Sequence, residues 1–143
     1  MSDLYETDVV LWSEQQADLL RRRALGMLVN DRDFDWTNIA EEIESVGREQ
    51  RHAVESPLVR ALIHMLKATA WPESPEVPHW EAEMRVFRDS ARRGFVPSIR
   101  QRLDLPVLYR QAVRGLPRVI GGQAPMAVPA VCPMTLEELL AEV

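Results

Sequence analysis

Residues 36–70, WTNIAEEIESVGREQRHAVESPLVRALIHMLKATA, decide the fold. Apolar side chains recur at Ile39, Ile43, Val46, Ala53, Val54, Leu58, Ala61, Leu62, Met65 and Leu66, in steps of three and four. That is one helical face carried for some thirty residues. Asp35 is placed to cap its start, because a short carboxylate there accepts a bond from an unpaired first-turn amide. Ser56-Pro57 interrupts the bond ladder, since proline lacks an amide hydrogen and disfavours helix in the residue before it. The stripe keeps its phase across the break, so the expectation is a kinked helix or two nearly continuous ones.

Helical signals continue on both sides. Asp8 to about Ala24 reads as a helix with Trp12, Leu19 and Leu20 inward. After the loop from Trp71 to Pro78, a further helix puts Trp80, Met84, Phe87 and Ala91 on one face and ends at Gly94. Pro97 and Pro106 open two short helices, the second expected to run to Gly121-Gly122. Residues 123–134, which contain three prolines, read as an extended connection. Thr135-Leu136-Glu137-Glu138 has capping-box spacing and should start a last short helix. Strand signals are absent. The fold class is therefore all-α: a single-domain helical bundle over residues 1–143, with a long kinked central helix and a short C-terminal helix.

The chain of 143 residues is 46% hydrophobic and 27% charged, a balance that excludes a largely disordered protein. No apolar run approaches the roughly 18 residues of a membrane span, and the opening residues lack a signal-peptide pattern, so a cytoplasmic protein with no membrane partner is expected. A single cysteine, Cys132, cannot form an internal disulfide. The net charge of −5 is uneven: residues 1–80 hold 8 Lys+Arg against 15 Asp+Glu, while residues 81–118 hold 9 arginines against 4 acids. Attraction inside the bundle, with Glu41, Glu42 or Glu44 facing Arg85, Arg88 or Arg92, accounts for this better than an anionic partner does. Nucleic acid is disfavoured as a partner by the acidic total and the few aromatics among the arginines.

Several constellations carry residue types that could do chemistry. Glu41, Glu42 and Glu44 do not converge on one helix face, because each position advances by about 100°. Magnesium-binding helical pyrophosphatases use Glu-Glu-x-x-Glu with a second acidic motif, and this chain has Glu-Glu-x-Glu followed by arginines. Glu49-x-x-His52 has the spacing of di-iron bundles, which need the unit twice. His64 and Lys67 sit beside the apolar stripe, where a lone histidine is more often packing than ligand; Lys67 would lower its pKa. Trp71 and Trp80 flank a loop and could frame an apolar pocket. Tyr5, Asp8, Trp12 and Gln16 share a face, and the polar pair needs partners if buried, with Arg48 or Arg51 available. No phosphate loop, nucleophile elbow or zinc signature occurs.

The segments Leu4 to Asp8, Trp12 with Gln16, Leu19-Leu20-Arg21, Asp35-Trp36, Ile39 to Glu44, Gly47-Arg48, His64 to Lys67, Trp80, Arg88 and Cys132 to Leu140 together resemble the bacterial all-helical family catalogued as domain of unknown function 29. The resemblance implies a compact helical bundle and brings no mechanism. The expectation is a non-enzymatic helical module that binds another protein, or a second copy of itself, through an apolar groove. Its binding candidates are Asp8, Trp12, Gln16, Glu41, Glu42, Glu44, His64, Lys67, Trp80 and Arg88, with no catalytic residue, metal or cofactor assigned. The rivals are a metal-dependent hydrolase with a carboxylate and histidine site on the central helix, and nucleic-acid binding through the arginine-rich third quarter.

Overall fold

The structure, a computed structural model, describes residues 3–142; Met1, Ser2 and Val143 lie outside the described residues. Seven α-helices occur among them: α1 (Leu4–Thr7), α2 (Val9–Ala24), α3 (Trp36–Ala70), α4 (Val77–Gly94), α5 (Pro97–Arg100), α6 (Leu105–Arg114) and α7 (Leu136–Leu140). Among the described residues there is no strand, only an isolated bridge between Ile120 and Gln123. The fold is all-α. No helix is long and apolar enough to cross a membrane among the described residues. The chain divides into two compact units, residues 1–48 and 49–143, and α3 begins in the first and ends in the second.

Local chemistry explains where the helices start. The Asp8 carboxylate accepts the Leu11 amide at 3.0 Å and Asp104 accepts that of Val107 at 3.2 Å, each satisfying an otherwise unpaired first-turn donor. Thr135 and Glu138 complete the capping box of α7. α2 closes on a Schellman turn: Gly26, at φ +77°, donates to the Arg23 carbonyl, and Met27 donates to that of Arg22.

In the first unit, Trp12, Leu19, Phe34 and Ile39 form the buried core, with Leu4, Tyr5 and Val29 against it. In the second, Val54, Leu58, Leu62 and Leu66 of α3 pack with Ala91 of α4, Ile99 of α5, Leu108, Tyr109 and Ala112 of α6, and Leu139 of α7. Trp71 and Trp80 form a smaller cluster with Ala70. Residues 123–134 carry no helix and are tied down by the Trp71 indole on the Gln123 carbonyl at 2.9 Å, by the Met126 amide on the Ala70 carbonyl at 2.9 Å, and by the Tyr109 hydroxyl on the Pro129 carbonyl at 2.6 Å.

α3 is the long central helix that the stripe predicts, a single α-helix over Trp36–Ala70 with Pro57 inside it. Pro57 is buried, and the carbonyl it leaves without a helical donor is that of Ala53, which lies near Gly94 of α4. The stripe is not covered along its length: Ile43 and Val46 are each 69% exposed, and Ala53 is exposed too. Leu20 faces solvent, and Gln16 takes the inward place on α2. α6 ends at Arg114, not at Gly121-Gly122; those glycines, at φ +58° and +76°, form a tight turn closed by reciprocal bonds between Ile120 and Gln123.

The uneven cover gives a direct test. Leu62→Ala, at a fully buried position, should cost about 2–5 kcal/mol, whereas Ile43→Ala on the same stripe should stay within about 0.5 kcal/mol. Urea denaturation of the two variants measures the difference.

Candidate interaction site

The first unit is knit by a polar network centred on Asp35. Its carboxylate accepts the Trp12 indole N–H at 2.9 Å, the Asn38 side-chain amide at 2.8 Å and the Asn38 backbone amide, which makes it the cap of α3. The bonds from Asn38 and Trp12 hold this carboxyl below its ordinary range, against the cost of burial. Gln16 spans the same turn: its side-chain N–H₂ donates to the Asp33 carbonyl at 3.2 Å, and its oxygen accepts the Asp35 amide at 2.8 Å. The partners of Trp12 and Gln16 are therefore residues 33–35, and the arginines expected for that role are occupied elsewhere. Arg48 pairs with Glu41 at 2.5 Å and Arg51 with Glu55 at 2.9 Å. Asp8 is exposed and serves α2 as its cap.

The acidic group of α3 is also committed locally. Glu41 and, more loosely, Glu44 face Arg48, and Glu42 accepts the Tyr5 hydroxyl at 2.6 Å. That bond first, then burial and the negative charge of Glu42, Glu41 and Glu6, pushes the Tyr5 phenol up to about 12. Among the described residues no three His, Cys, Asp or Glu side chains are grouped to hold a metal ion.

The expected pairing of these glutamates with Arg85, Arg88 or Arg92 does not occur. Arg88 donates from Nε to the Leu139 carbonyl at 2.9 Å and from Nη2 to that of Glu138 at 2.5 Å, with a longer reach of 3.4 Å to Ala141. Arg92 adds a bond to Ala141 at 3.3 Å and pairs with Asp89. The two arginines thus complete the carbonyl end of α7, where a cation is favoured by unpaired acceptors and the helix dipole. Arg85 is exposed and has no partner among the described residues.

A strip of cations lies on aromatic rings between α3 and α4. The Arg60 guanidinium sits 5.6 Å from the Phe87 centroid, the Lys67 ammonium 5.8 Å from that of Trp80, and the His64 ring meets Phe87 edge-on at 5.5 Å. His64 Nδ1 is buried without a hydrogen-bond partner. Burial and then the Lys67 charge, with His79 adding and Glu83 opposing, hold this imidazole below its ordinary value. Burial likewise pushes the Cys132 thiol up, away from the thiolate a nucleophile requires.

Several large apolar side chains are exposed, among them Val9, Val10, Ile43 and Val46, and two apolar surfaces have a fixed shape. The first is the loop after α2, where Leu25 is 79% exposed, Met27 50% and Leu28 wholly so. The loop is held at both ends: by the Schellman bonds, and by Arg23, which donates to the Val29 carbonyl at 3.0 Å and pairs with Asp31. In most Schellman turns the residue in the place of Met27 packs on an apolar residue in the place of Arg22; here that residue is an arginine, and Met27 is left outward. The second surface is a cleft of 290 Å³ between the turn at Trp71–Pro75 and the turn at Ile120–Met126. Trp71 lines this cleft, as its position by the loop suggested; Trp80 does not. The sequence reading missed residues 25–28, although Gly26 just past the last periodic residue of α2 marks the turn that presents them.

The family described as "Domain of unknown function DUF29" matches residues 4–143, and the chain belongs to it. It is also similar to the crystal structure of an alpha-helical protein of unknown function from Rhodospirillum rubrum, at 25% identity and a TM-score of 0.64, over 99% of this chain and 92% of that one. No curated protein matches the chain.

Arg88→Ala should cost about 1.5–3 kcal/mol, the range for bonds to a charged donor, and should speed proteolysis near α7; melting and limited digestion read both. For His64 the folded value lies below the ordinary 6.5, so the unfolded chain takes the proton more readily. Stability is then complete above about 6.5 and lost as pH falls through the folded value. Melting followed from pH 8 to pH 5 should show that loss, and His64→Gln should shallow it.

Proposed function

We propose that this member of the domain of unknown function 29 family is a helical interaction module that binds a protein through apolar surface in residues 1–48, without catalysis of its own. One observation carries the reading: Leu25, Met27 and Leu28 stand in solvent on a turn whose backbone is fixed at both ends. Single exposed leucines are ordinary, but three large apolar side chains within four residues make a patch of the kind that marks protein contacts. Because the turn is preformed, binding does not have to order it. The commitment of Glu41, Glu42, Glu44, Trp12, Gln16 and Arg88 to partners within the fold supports the same reading, since those groups are occupied.

The test compares the wild-type chain with a Leu25→Ser, Leu28→Ser variant as baits in the source cell extract. Both side chains are exposed, so melting should be unchanged within about 0.5 kcal/mol. Proteins retained by the wild type and lost by the variant are the expected result. Identical retained sets, at equal melting temperature, would overturn the reading.

A further inference from the structure

The reading above leaves the partner open, and the chain itself carries a receptor of fitting chemistry. The cleft at the end of α3 is walled by Trp71, Pro72, Pro75, Ile120, Ala124 and Met126. Glu73, Ser74 and Gln123 line it as well: the Trp71 indole donates to the Gln123 carbonyl at 2.9 Å, Ile120 and Gln123 bond to each other, the Ser74 hydroxyl oxygen accepts the Glu76 amide, and the Glu73 carboxylate is left over. What remains is a mainly apolar hollow between two turns. One wall is the turn set by Gly121 and Gly122; the other is the turn from Trp71 to Val77, closed by Ser74 on Trp71 and by Val77 on Ser74. At about 30 Å³ per heavy atom, its 290 Å³ takes about two leucine-sized side chains.

Charge agrees with shape. Arg21 lies one helical turn before Leu25, is exposed and has no partner among the described residues; Arg22 and Arg23 beside it pair with Asp18 and Asp31. At the cleft, Glu73 and Glu76 are exposed, and their carboxylates have no partner among the described residues. A free cation beside the projecting loop thus meets free carboxylates beside the hollow.

Resting on the interaction reading, we infer that the partner is a second copy of this chain: residues 25–28 of one copy seat in the cleft formed by Trp71–Pro75 and Ile120–Met126 of the next, with Arg21 of the first facing Glu73 and Glu76 of the second. The two surfaces are different, so every copy brings one loop and one cleft, and association rises with concentration.

Light scattering and sedimentation over a concentration series test this with two variants of the full chain. Leu25→Asp with Leu28→Asp removes the loop surface, and Ala124→Glu blocks the cleft; all three positions are exposed, and circular dichroism checks the fold. The wild-type mass should climb above the monomer as concentration rises, and each variant alone should stay monomeric. Their mixture should form a 1:1 complex and stop there, because only one intact loop and one intact cleft remain. As a second measure, Arg21→Glu should weaken association by about tenfold or more, and adding Glu73→Arg and Glu76→Arg should recover it. A wild type that stays monomeric, a dimer indifferent to both variants, or a cleft variant that still assembles through its loop would each overturn the inference. A monomeric wild type whose loop variant nonetheless loses cellular partners would overturn only the choice of a second copy and leave the interaction reading standing.

Discussion

The second unit depends on burying one face of α3. Val54, Leu58, Ala61, Leu62 and Leu66 have no exposed surface, and at about 1.5–3 kcal/mol for a fully buried large aliphatic side chain this is the largest single source of stability there. Everything that follows in the chain supplies cover. Alanines at Ala61, Ala91 and Ala112, all fully buried, let backbones come close. α5 has four residues and α7 five, far below the length at which an isolated helix is stable in water. They exist because Ile99 and Leu139 are inserted into that core and because their ends are bonded from outside, by the Thr135 box at one end of α7 and by Arg88 and Arg92 at the other.

The first unit is held on different terms. Its buried core has four members, and hydrogen bonds through Asp35 and Gln16 fix the turn before α3. These polar groups gather in one place and look like a site when read along the chain. In space they satisfy each other, as buried polar groups must. A polar cluster paired within the fold stabilises the turn it spans.

Which parts of this were legible follows from the range of the interactions. Caps are local: Asp8, Asp35, Asp104 and Thr135 act on amides two or three residues away, and their helices begin where the sequence places them. The phase of the α3 stripe is local too, but its cover is not. Ile39, Ile43 and Val46 follow the same period, and only Ile39 finds neighbours. Arg88 shows the same limit for charge. Counting charges looks for carboxylates, whereas the acceptors it found are backbone carbonyls, which every residue carries and no sequence marks. α6 is shorter than its apolar pattern because Gly115 caps it and Pro117, two residues on, has no amide hydrogen with which to continue the ladder.

The two unused surfaces share a construction. Gly26 under the loop, and Gly121 with Gly122 under the cleft wall, have positive φ, and a Cβ at any of the three would touch nothing within 4 Å. Space is not what requires glycine there; the backbone conformation is. Solvent-facing turns of this kind are ordinarily filled with polar residues, which cost nothing in water and guard against association. Here the turn after Gly26 carries Met27 and Leu28, and the turn at Gly122 leads into Ala124 and Met126. Folding gains no burial from Leu25, Leu28 or Met126, since they lie in solvent. Apolar side chains that gain no burial in the folded chain, on turns that only a glycine backbone allows, are what the proposed contact with another molecule rests on.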